Sequence, residues 1–169
     1  APLWDFPNGN LYKRECAAFA LSQTLGWPLV PPTIQRDGPL GIGSLQLYVP
    51  PIQNSNYFSI KDSKVPELLS LAIFDLVVNN ADRKGRHCFE AKCGGVWAID
   101  HGLTFHELHK LRTVIWDFAG FEIPEPFLGD LGDLSNELNR FGSLLLSQLN
   151  ELIAQDEINS LIRRLDGIL

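Results

Sequence analysis

Methionine is missing from all 169 residues of this sequence, including position 1. We therefore expect that the chain does not begin at a translation start and that sequence is missing upstream. Its three cysteines, Cys16, Cys88 and Cys93, are irregularly spaced, which does not fit a disulfide framework. No apolar run reaches the length of a bilayer span, and no signal peptide opens the chain. The expected location is the reducing cytoplasm, with no transmembrane segment.

A surplus of basic residues is missing as well. The chain has 14 Lys and Arg against 20 Asp and Glu, a formal net charge of −6, with both signs mixed along its length. A general nucleic-acid surface needs a basic excess, so we expect no nucleic-acid partner. Apolar side chains, in contrast, are abundant. They make up 45% of the residues, enough for one domain of this size to bury a core.

The first third of the chain has the pattern of a helix followed by a hairpin. Apolar spacing predicts a helix over residues 11–25, with Gly26 as its stop. Thr33–Arg36 and Ser44–Val49 are predicted as two short strands joined by a glycine-rich loop. Residues 50–64 are polar and contain prolines, and we interpret them as a linker between two parts of the chain.

The rest of the chain is predicted to be mainly helical around one further hairpin. Residues 65–78 are apolar nearly all round, which indicates a buried helix. Cys88–Ala91 and Val96–Ile99 are predicted as short strands with a Gly-Gly turn between them. Helical patterns then follow in four segments, which are Lys110–Phe118, Phe127–Asn139, Ser143–Ile153 and Gln155–Leu165.

A polar loop stands on each side of the second hairpin. The first, Asn79–His87, contains Asp82, and the second, Asp100–Gly102, begins with Asp100. Because the hairpin folds the chain back on itself, the two carboxylates can converge at its open end. A phosphotransferase needs such a pair: one Asp orients or deprotonates the attacking hydroxyl, and the other holds a Mg²⁺ that bridges nucleotide phosphates.

Three cations accompany the first of these carboxylates. Arg83, Lys84 and Arg86 follow Asp82 within the same loop. A transferred phosphoryl group carries negative charge, which nearby cations stabilise. The loops therefore predict phosphoryl-transfer chemistry at this end of the hairpin.

The loops also resemble those of the phosphatidylinositol 3/4-kinase superfamily. Asn79–His87 resembles its D-R-H-x-x-N catalytic loop, and Asp100–Gly102 resembles its D-F-G metal-binding motif. The chain is most similar to small bacterial proteins called phosphatidylinositol 3/4-kinase-like, which share V-V-N-N-A-D-R-K-G, D-H-G and K-L-R-T. Here these motifs are Val77–Gly85, Asp100–Gly102 and Lys110–Thr113, and the resemblance runs from Leu3–Phe6 to near the C-terminus.

The resemblance implies roles for individual residues. Asp82 matches the catalytic Asp, and Asp100 matches the metal-binding Asp. Asn80 matches the Asn two residues before the catalytic Asp and is expected to shape the loop. Glu15 matches the Glu that pairs with a lysine on the ATP phosphates. One more segment matches the stretch that links the two lobes in this family, and its backbone would contact the adenine. It consists of Gln46, Leu47, Tyr48 and Val49.

The sequence departs from the family pattern at three points. Lys84 stands where the lipid kinases have His, and His87 stands where they have a second metal-binding Asn. The phosphate lysine has no candidate in this chain. The implied cofactors are ATP and Mg²⁺, with Mn²⁺ as an alternative because an imidazole is a softer ligand than an amide oxygen.

The implied fold is α+β, protein-kinase-like and two-lobed. Residues 1–62 would form a truncated N-lobe of a helix, a hairpin and the interlobe linker, and residues 63–169 a mainly helical catalytic C-lobe. The nucleotide would lie between the lobes near Tyr48, Asp82 and Asp100.

The first functional hypothesis is an ATP-dependent phosphotransferase. In it Asp82 orients the acceptor hydroxyl, Asp100 holds the metal with His87, and Arg83 or Lys84 stabilises charge. The acceptor could be a protein, a small molecule or a lipid. The alternative is a pseudokinase-type module that binds nucleotide or docks a partner without turnover. A third interpretation is a metal-dependent phosphohydrolase that uses Asp82, Asp100 and His87.

Simpler interpretations remain beside these. Glu15 could be an ordinary surface residue of its helix, and Lys110 and Arg112 ordinary helix charges. His87 could hold the loop through a hydrogen bond instead of binding a metal. A zinc site that also used Cys88, Cys93 and His101 would fit no usual ligand spacing. His101 is assigned no chemistry.

Overall fold

The computed structural model describes Leu3, Phe6 and residues 9–169, so Trp4 and Asp5 of the Leu3–Phe6 motif and residues 1, 2, 7 and 8 lie outside the described residues. The fold is α+β, with helices and two small antiparallel sheets. In chain order the elements are α1 (Leu11–Thr24), β1 (Thr33–Gly38), β2 (Gly41–Gln46), α2 (Tyr57–Ile60), α3 (Val65–Val78), a 3-10 turn (Gly85–His87), β3 (Cys88–Glu90), β4 (Val96–Ala98), α4 (Glu125–Asn139), α5 (Leu144–Leu152) and α6 (Gln155–Asp166).

The first hairpin leads directly into the linker that follows it. β1 and β2 pair from Thr33 opposite Gln46 to the tight turn between Gly38 and Gly41. The strands therefore run further into the turn than the sequence predicted. β2 ends at Gln46, and residues 47–49 continue beyond the sheet, where the Leu47 N–H donates to the Pro32 carbonyl at 2.8 Å. The hairpin packs against α1.

One apolar core joins elements from both ends of the chain. Leu21 of α1, Phe74 of α3 and Leu149 of α5 are fully buried members of it. A buried ion pair between Arg14 and Glu157 fastens α1 to α6 beside this core. A second, smaller apolar cluster consists of Val49, Phe89 and Ala91, with Trp97 and Ile99 packed against it. In the part of the chain that the structure describes, no helix has the length and apolarity needed to cross a membrane.

The helix predicted over Lys110–Phe118 is wrong. This segment has no helix: residues 110–116 are irregular except for an isolated parallel bridge of Thr113 with Arg83 of the first polar loop, and residues 117–120 form a turn. The Arg112 N–H donates to the Asn80 carbonyl at 2.9 Å, and the Arg83 N–H donates to the Arg112 carbonyl at 2.9 Å. Since these backbone groups bond to the loop, they cannot also form helical bonds. Lys110 and Arg112 are accordingly not helix charges.

Candidate functional site

The first polar loop begins where α3 ends in a left-handed residue. Asn79 has φ of 54° and is fully buried. Its side-chain N–H groups donate to the carbonyls of His106 (2.9 Å) and Leu108 (2.7 Å), and its Oδ1 accepts from the Lys110 N–H at 2.8 Å. Asn tolerates this backbone region better than most residues. Asn79 therefore turns the chain out of α3 and holds the segment 106–110 against it.

Asn80 shapes the next step of the loop. Its Oδ1 accepts from the Asp82 N–H at 2.9 Å, and its Nδ2 donates to Asp75 Oδ1 at 2.9 Å. The residue is 1% exposed. Both ends of its amide are thus engaged inside the protein. This arrangement fits the loop-shaping role expected for Asn80 and leaves it no free group for chemistry.

Arg83 does not face the site, contrary to the expectation that it could stabilise a phosphoryl group. Its side chain is fully buried, where Nε and Nη2 donate to the two oxygens of Asp75 at 2.8 Å each. Nη1 donates to the Ile99 carbonyl at 2.9 Å. Burial lowers the pKa of Arg83, but the charge of Asp75, the hydrogen bond with it and the charges of Cys88 and Asp100 together outweigh this, so the pKa is raised overall. Arg83 is therefore a charged residue of the interior that bonds to Asp75 and the Ile99 carbonyl, and its charge does not point toward the site.

Asp75 and His101 are site residues that the sequence reasoning missed. Apart from Glu67 in the first turn, Asp75 is the one charged residue of α3, a signal that could have marked it as paired. His101 is fully buried, and its Nε2 lies 2.8 Å from Arg83 Nη2. Asp75, Arg83 and His101 therefore connect α3, the first loop and the second loop in one internal chain of contacts.

Asp82 and Lys84 are on the outer side of the first loop. Lys84 Nζ lies 2.7 Å from Asp82 Oδ2, and their side chains are 58% and 39% exposed. The hydrogen bond with Asp82, reinforced by its charge, raises the pKa of Lys84. The charge of Asp100 acts on Lys84 in the same direction. The two carboxylates therefore lie near enough to act on one ammonium group.

The second loop turns sharply at Asp100. This residue has φ of 62°, and its side chain is 56% exposed. Asp100 Oδ2 lies 3.3 Å from Nε2 of His87, the last residue of the first loop. Burial lowers the pKa of His87, while the charge of Asp100 opposes this shift. His87 is thus held toward its neutral form, the form of imidazole that can bind a metal.

Asp100 and His87 fit a divalent cation that is completed by other ligands. Mg²⁺ lies about 2.1 Å from its ligands, so neighbouring donors around it are about 3 Å apart. The separation of 3.3 Å between Oδ2 and Nε2 is compatible with one shared ion. No group of three acidic, His or Cys ligands exists among the described residues. The protein would therefore supply two ligands, and phosphate oxygens or water the others, which is the usual arrangement for Mg²⁺.

Glu15 lies against the second loop from the side of α1. A side chain at Gly102 would meet Glu15 Oε1 at 3.4 Å and Leu11 Cβ at 3.3 Å, so the loop passes very close to the helix. Burial raises the pKa of Glu15, and the charge of Asp100 adds to this, whereas the backbone N–H groups of His101 and Gly102 lower it. Glu15 is therefore an interior neighbour of the second loop and not an ordinary surface residue.

A cavity of about 340 Å³ opens between the linker and the second hairpin. The lining includes all four residues that the resemblance places between the two lobes, which are Gln46, Leu47, Tyr48 and Val49. It also includes Ile99, the residue before Asp100, so the cavity reaches the start of the second loop. The complete lining is Gln46, Leu47, Tyr48, Val49, Pro51, Ser55, Arg86, Phe89 and Ile99.

Two comparisons with known proteins bear on this chain. No family model matches it. Protein Rv2133c of Mycobacterium tuberculosis (strain ATCC 25618 / H37Rv) is 37% identical over 203 residues, an alignment that covers 99% of this chain and 72% of that protein.

Proposed function

The chain belongs to the same family as Protein Rv2133c of Mycobacterium tuberculosis, and we propose that it carries the nucleotide and catalytic site of an ATP-dependent phosphotransferase. The observation that carries this proposal is the cavity of about 340 Å³ whose lining includes Ile99, the residue immediately before Asp100. A nucleotide base in this cavity would direct its phosphates toward Asp100, His87 and Lys84.

The backbone of residues 47–49 offers the hydrogen-bonding groups that could pair with the edge of an adenine. Among the described residues, the Leu47 carbonyl and the Val49 N–H have no hydrogen-bond partner, whereas the Leu47 N–H donates to the Pro32 carbonyl. Where such a segment is extended, an acceptor and a donor two residues apart point to the same side. They match the exocyclic amine and the neighbouring ring nitrogen of adenine. Val49 and Phe89 of the small apolar cluster supply flat or branched surfaces for the ring.

The residues near the phosphates have separate roles in this proposal. Asp82 accepts the proton of the attacking hydroxyl or orients that hydroxyl. Lys84, bonded to Asp82, stabilises negative charge on the transferred group. Asp100 and His87 would hold Mg²⁺ or Mn²⁺, which when bound neutralises phosphate charge. Arg83 and Asp75 keep the first loop in place.

We further propose the fold that the resemblance implies, a two-lobed and kinase-like arrangement with a short N-lobe over residues 1–62 and a helical C-lobe over residues 63–169. It is supported by the order of elements, in which helix, hairpin, linker, buried helix, loop, hairpin and second loop follow one another. The phosphatidylinositol label of the superfamily does not define the acceptor. A protein, small-molecule or lipid hydroxyl is compatible with the half-exposed Asp82.

Substitution Asp82→Asn tests the catalytic assignment. We expect the variant to retain ADP binding and its unfolding midpoint, and to lose transfer of labelled γ-phosphate from ATP to an acceptor, to the protein itself or to water. Asp37→Asn, which removes an exposed carboxylate from β1, is the matched control. Transfer at the wild-type rate by the Asp82→Asn variant would disprove the role of Asp82.

A nucleotide-binding module without turnover is the second candidate. It is favoured by the surroundings of Glu15, whose carboxyl is influenced by backbone groups and by Asp100 and Arg83, with no lysine among its neighbours in the described residues. Metal-dependent binding of ATP with no labelled product and no released phosphate would support this candidate. Release of phosphate with no labelled acceptor would instead support a phosphohydrolase that uses Asp82, Asp100 and His87.

A further inference from the structure

The three cations of the first loop have different surroundings. Arg83 is fully buried and bonded to Asp75. Lys84 is bonded to Asp82 at 2.7 Å. Arg86 is exposed, and in the part of the chain that the structure describes its guanidinium has neither a hydrogen bond nor an ion pair. Arg86 is therefore the cation of this loop that is available to a ligand.

Among the described residues, Arg86 is also the only charged one that lines the cavity between residues 46–49 and the second hairpin. The remaining lining is apolar or uncharged, from Tyr48 and Val49 on one side to Phe89 and Ile99 on the other. A mainly apolar cavity with a single unpaired cation is complementary to a ligand that joins an apolar part to an anion. The charge of Arg86 would repel a cationic ligand and would add little to the binding affinity of a neutral one.

We propose that Arg86 binds the phosphates of the nucleotide in this cavity. This inference rests on the proposed function and goes beyond it by giving the site a phosphate-binding cation. The guanidinium is planar and permanently charged, and it can donate two parallel hydrogen bonds to phosphate oxygens. Lys84 repels Arg86 and is itself bonded to Asp82, so the two cations would serve different phosphate groups.

Titration calorimetry with two ligands tests the inference. ADP carries the phosphates and adenosine does not, and neither ligand can be turned over. A charge-assisted contact of this kind corresponds to an affinity change of about 10-fold or more. We expect Arg86→Ala to weaken ADP binding by about 10-fold, Arg86→Glu to weaken it further, and Arg86→Lys to weaken it less. Adenosine affinity should stay within about twofold in every variant, because the base does not depend on the cation.

Arg36→Ala is the matched control, because it removes the same side chain from an exposed position of β1 outside the cavity. It should leave both affinities unchanged. If Arg86→Ala left ADP affinity at the wild-type value, or lowered ADP and adenosine affinity equally, the role of Arg86 would be wrong and the nucleotide site would stand. If the wild-type protein bound neither ligand, the nucleotide site itself would fall, and the role of Arg86 with it.

Discussion

Nη2 of Arg83 lies 2.8 Å from Nε2 of His101, and this contact joins the two loops of the candidate site inside the protein. An arginine can only donate, so Nε2 is the acceptor and the proton of the neutral ring is on Nδ1. Burial and the charge of Arg83 lower the pKa of His101 well below its usual value, which agrees with a neutral ring. The position of the second loop therefore depends on a residue of the first loop.

Removing one partner of the buried ion pair between Arg83 and Asp75 should be strongly destabilising. Asp75→Asn would leave the Arg83 charge buried without its counter-ion, and we expect it to lower the free energy of unfolding by about 3 kcal/mol. Glu137→Gln breaks an ion pair with Arg140, whose side chain is 66% exposed, and should cost less than about 1 kcal/mol. Urea denaturation of both variants measures the difference. Equal losses of unfolding free energy would contradict the structural role of the ion pair between Arg83 and Asp75.

Asn79 should contribute more to the stability of the protein than its tolerance of a left-handed backbone conformation alone. Asn79→Ala loses both the tolerance for φ of 54° and three side-chain hydrogen bonds, with an expected cost of about 3 kcal/mol. Asn54→Ala is the control, since Asn54 has φ of 62° but is exposed and makes no side-chain hydrogen bond. It should cost about 1 kcal/mol.

Hydrogen exchange gives a second measurement of the same change. In Asn79→Ala the Lys110 N–H loses its acceptor and should exchange faster than in the wild-type protein. In Asn54→Ala its protection should be unchanged. Unaltered protection of Lys110 in the Asn79 variant would show that this side chain does not hold the segment.

Glu15 should make stability fall as the pH rises. Burial and the charge of Asp100 raise its pKa in the folded protein above the usual 4.5, so the unfolded chain loses this proton first. The stabilising contribution is complete below about pH 4.5 and is lost as the pH rises through the folded pKa. Glu15→Gln removes the effect. The variant should therefore gain stability relative to wild type as the pH rises above about 4.5.

Exposed Glu107 is the control for that titration, and Glu107→Gln should keep a constant difference from wild type over the same range. Denaturant unfolding at several pH values gives both curves. A difference between Glu15→Gln and wild type that did not vary with pH would show that Glu15 titrates alike in both states.

The three cysteines should differ in reactivity. Cys88 is fully buried, and burial raises the pKa of its thiol to about 11. Burial also raises the pKa of Cys16, whereas Cys93 is exposed in the turn between β3 and β4. Since the thiolate is the reactive form, iodoacetamide at about pH 8 should label one thiol per folded chain. Cys93→Ser should abolish this labelling, and mass spectrometry would detect any reaction at Cys16 or Cys88 that contradicts it.

Much of the local structure followed from the sequence. The apolar pattern of residues 65–78 predicted α3 with the bounds that it has, because a segment apolar on all sides is stable only as a buried helix. The two hairpins were also predicted, with errors of a few residues at their ends, because glycine turns and β-branched residues act locally. The two polar loops with Asp82 and Asp100 could be recognised as candidates from residue type and order alone.

Tertiary structure alone decided which of these charged residues face the cavity. In the sequence Arg83, Lys84 and Arg86 look alike, but Asp75 on α3 holds Arg83 inside, and Arg86 lies at the cavity beside residues 46–49. The apolar spacing of residues 110–118 suited a helix, yet hydrogen bonds with the first loop exclude one. These outcomes depend on partners in another element. The free energy of a buried ion pair or of a shared backbone hydrogen bond exists only once folding has brought such partners together.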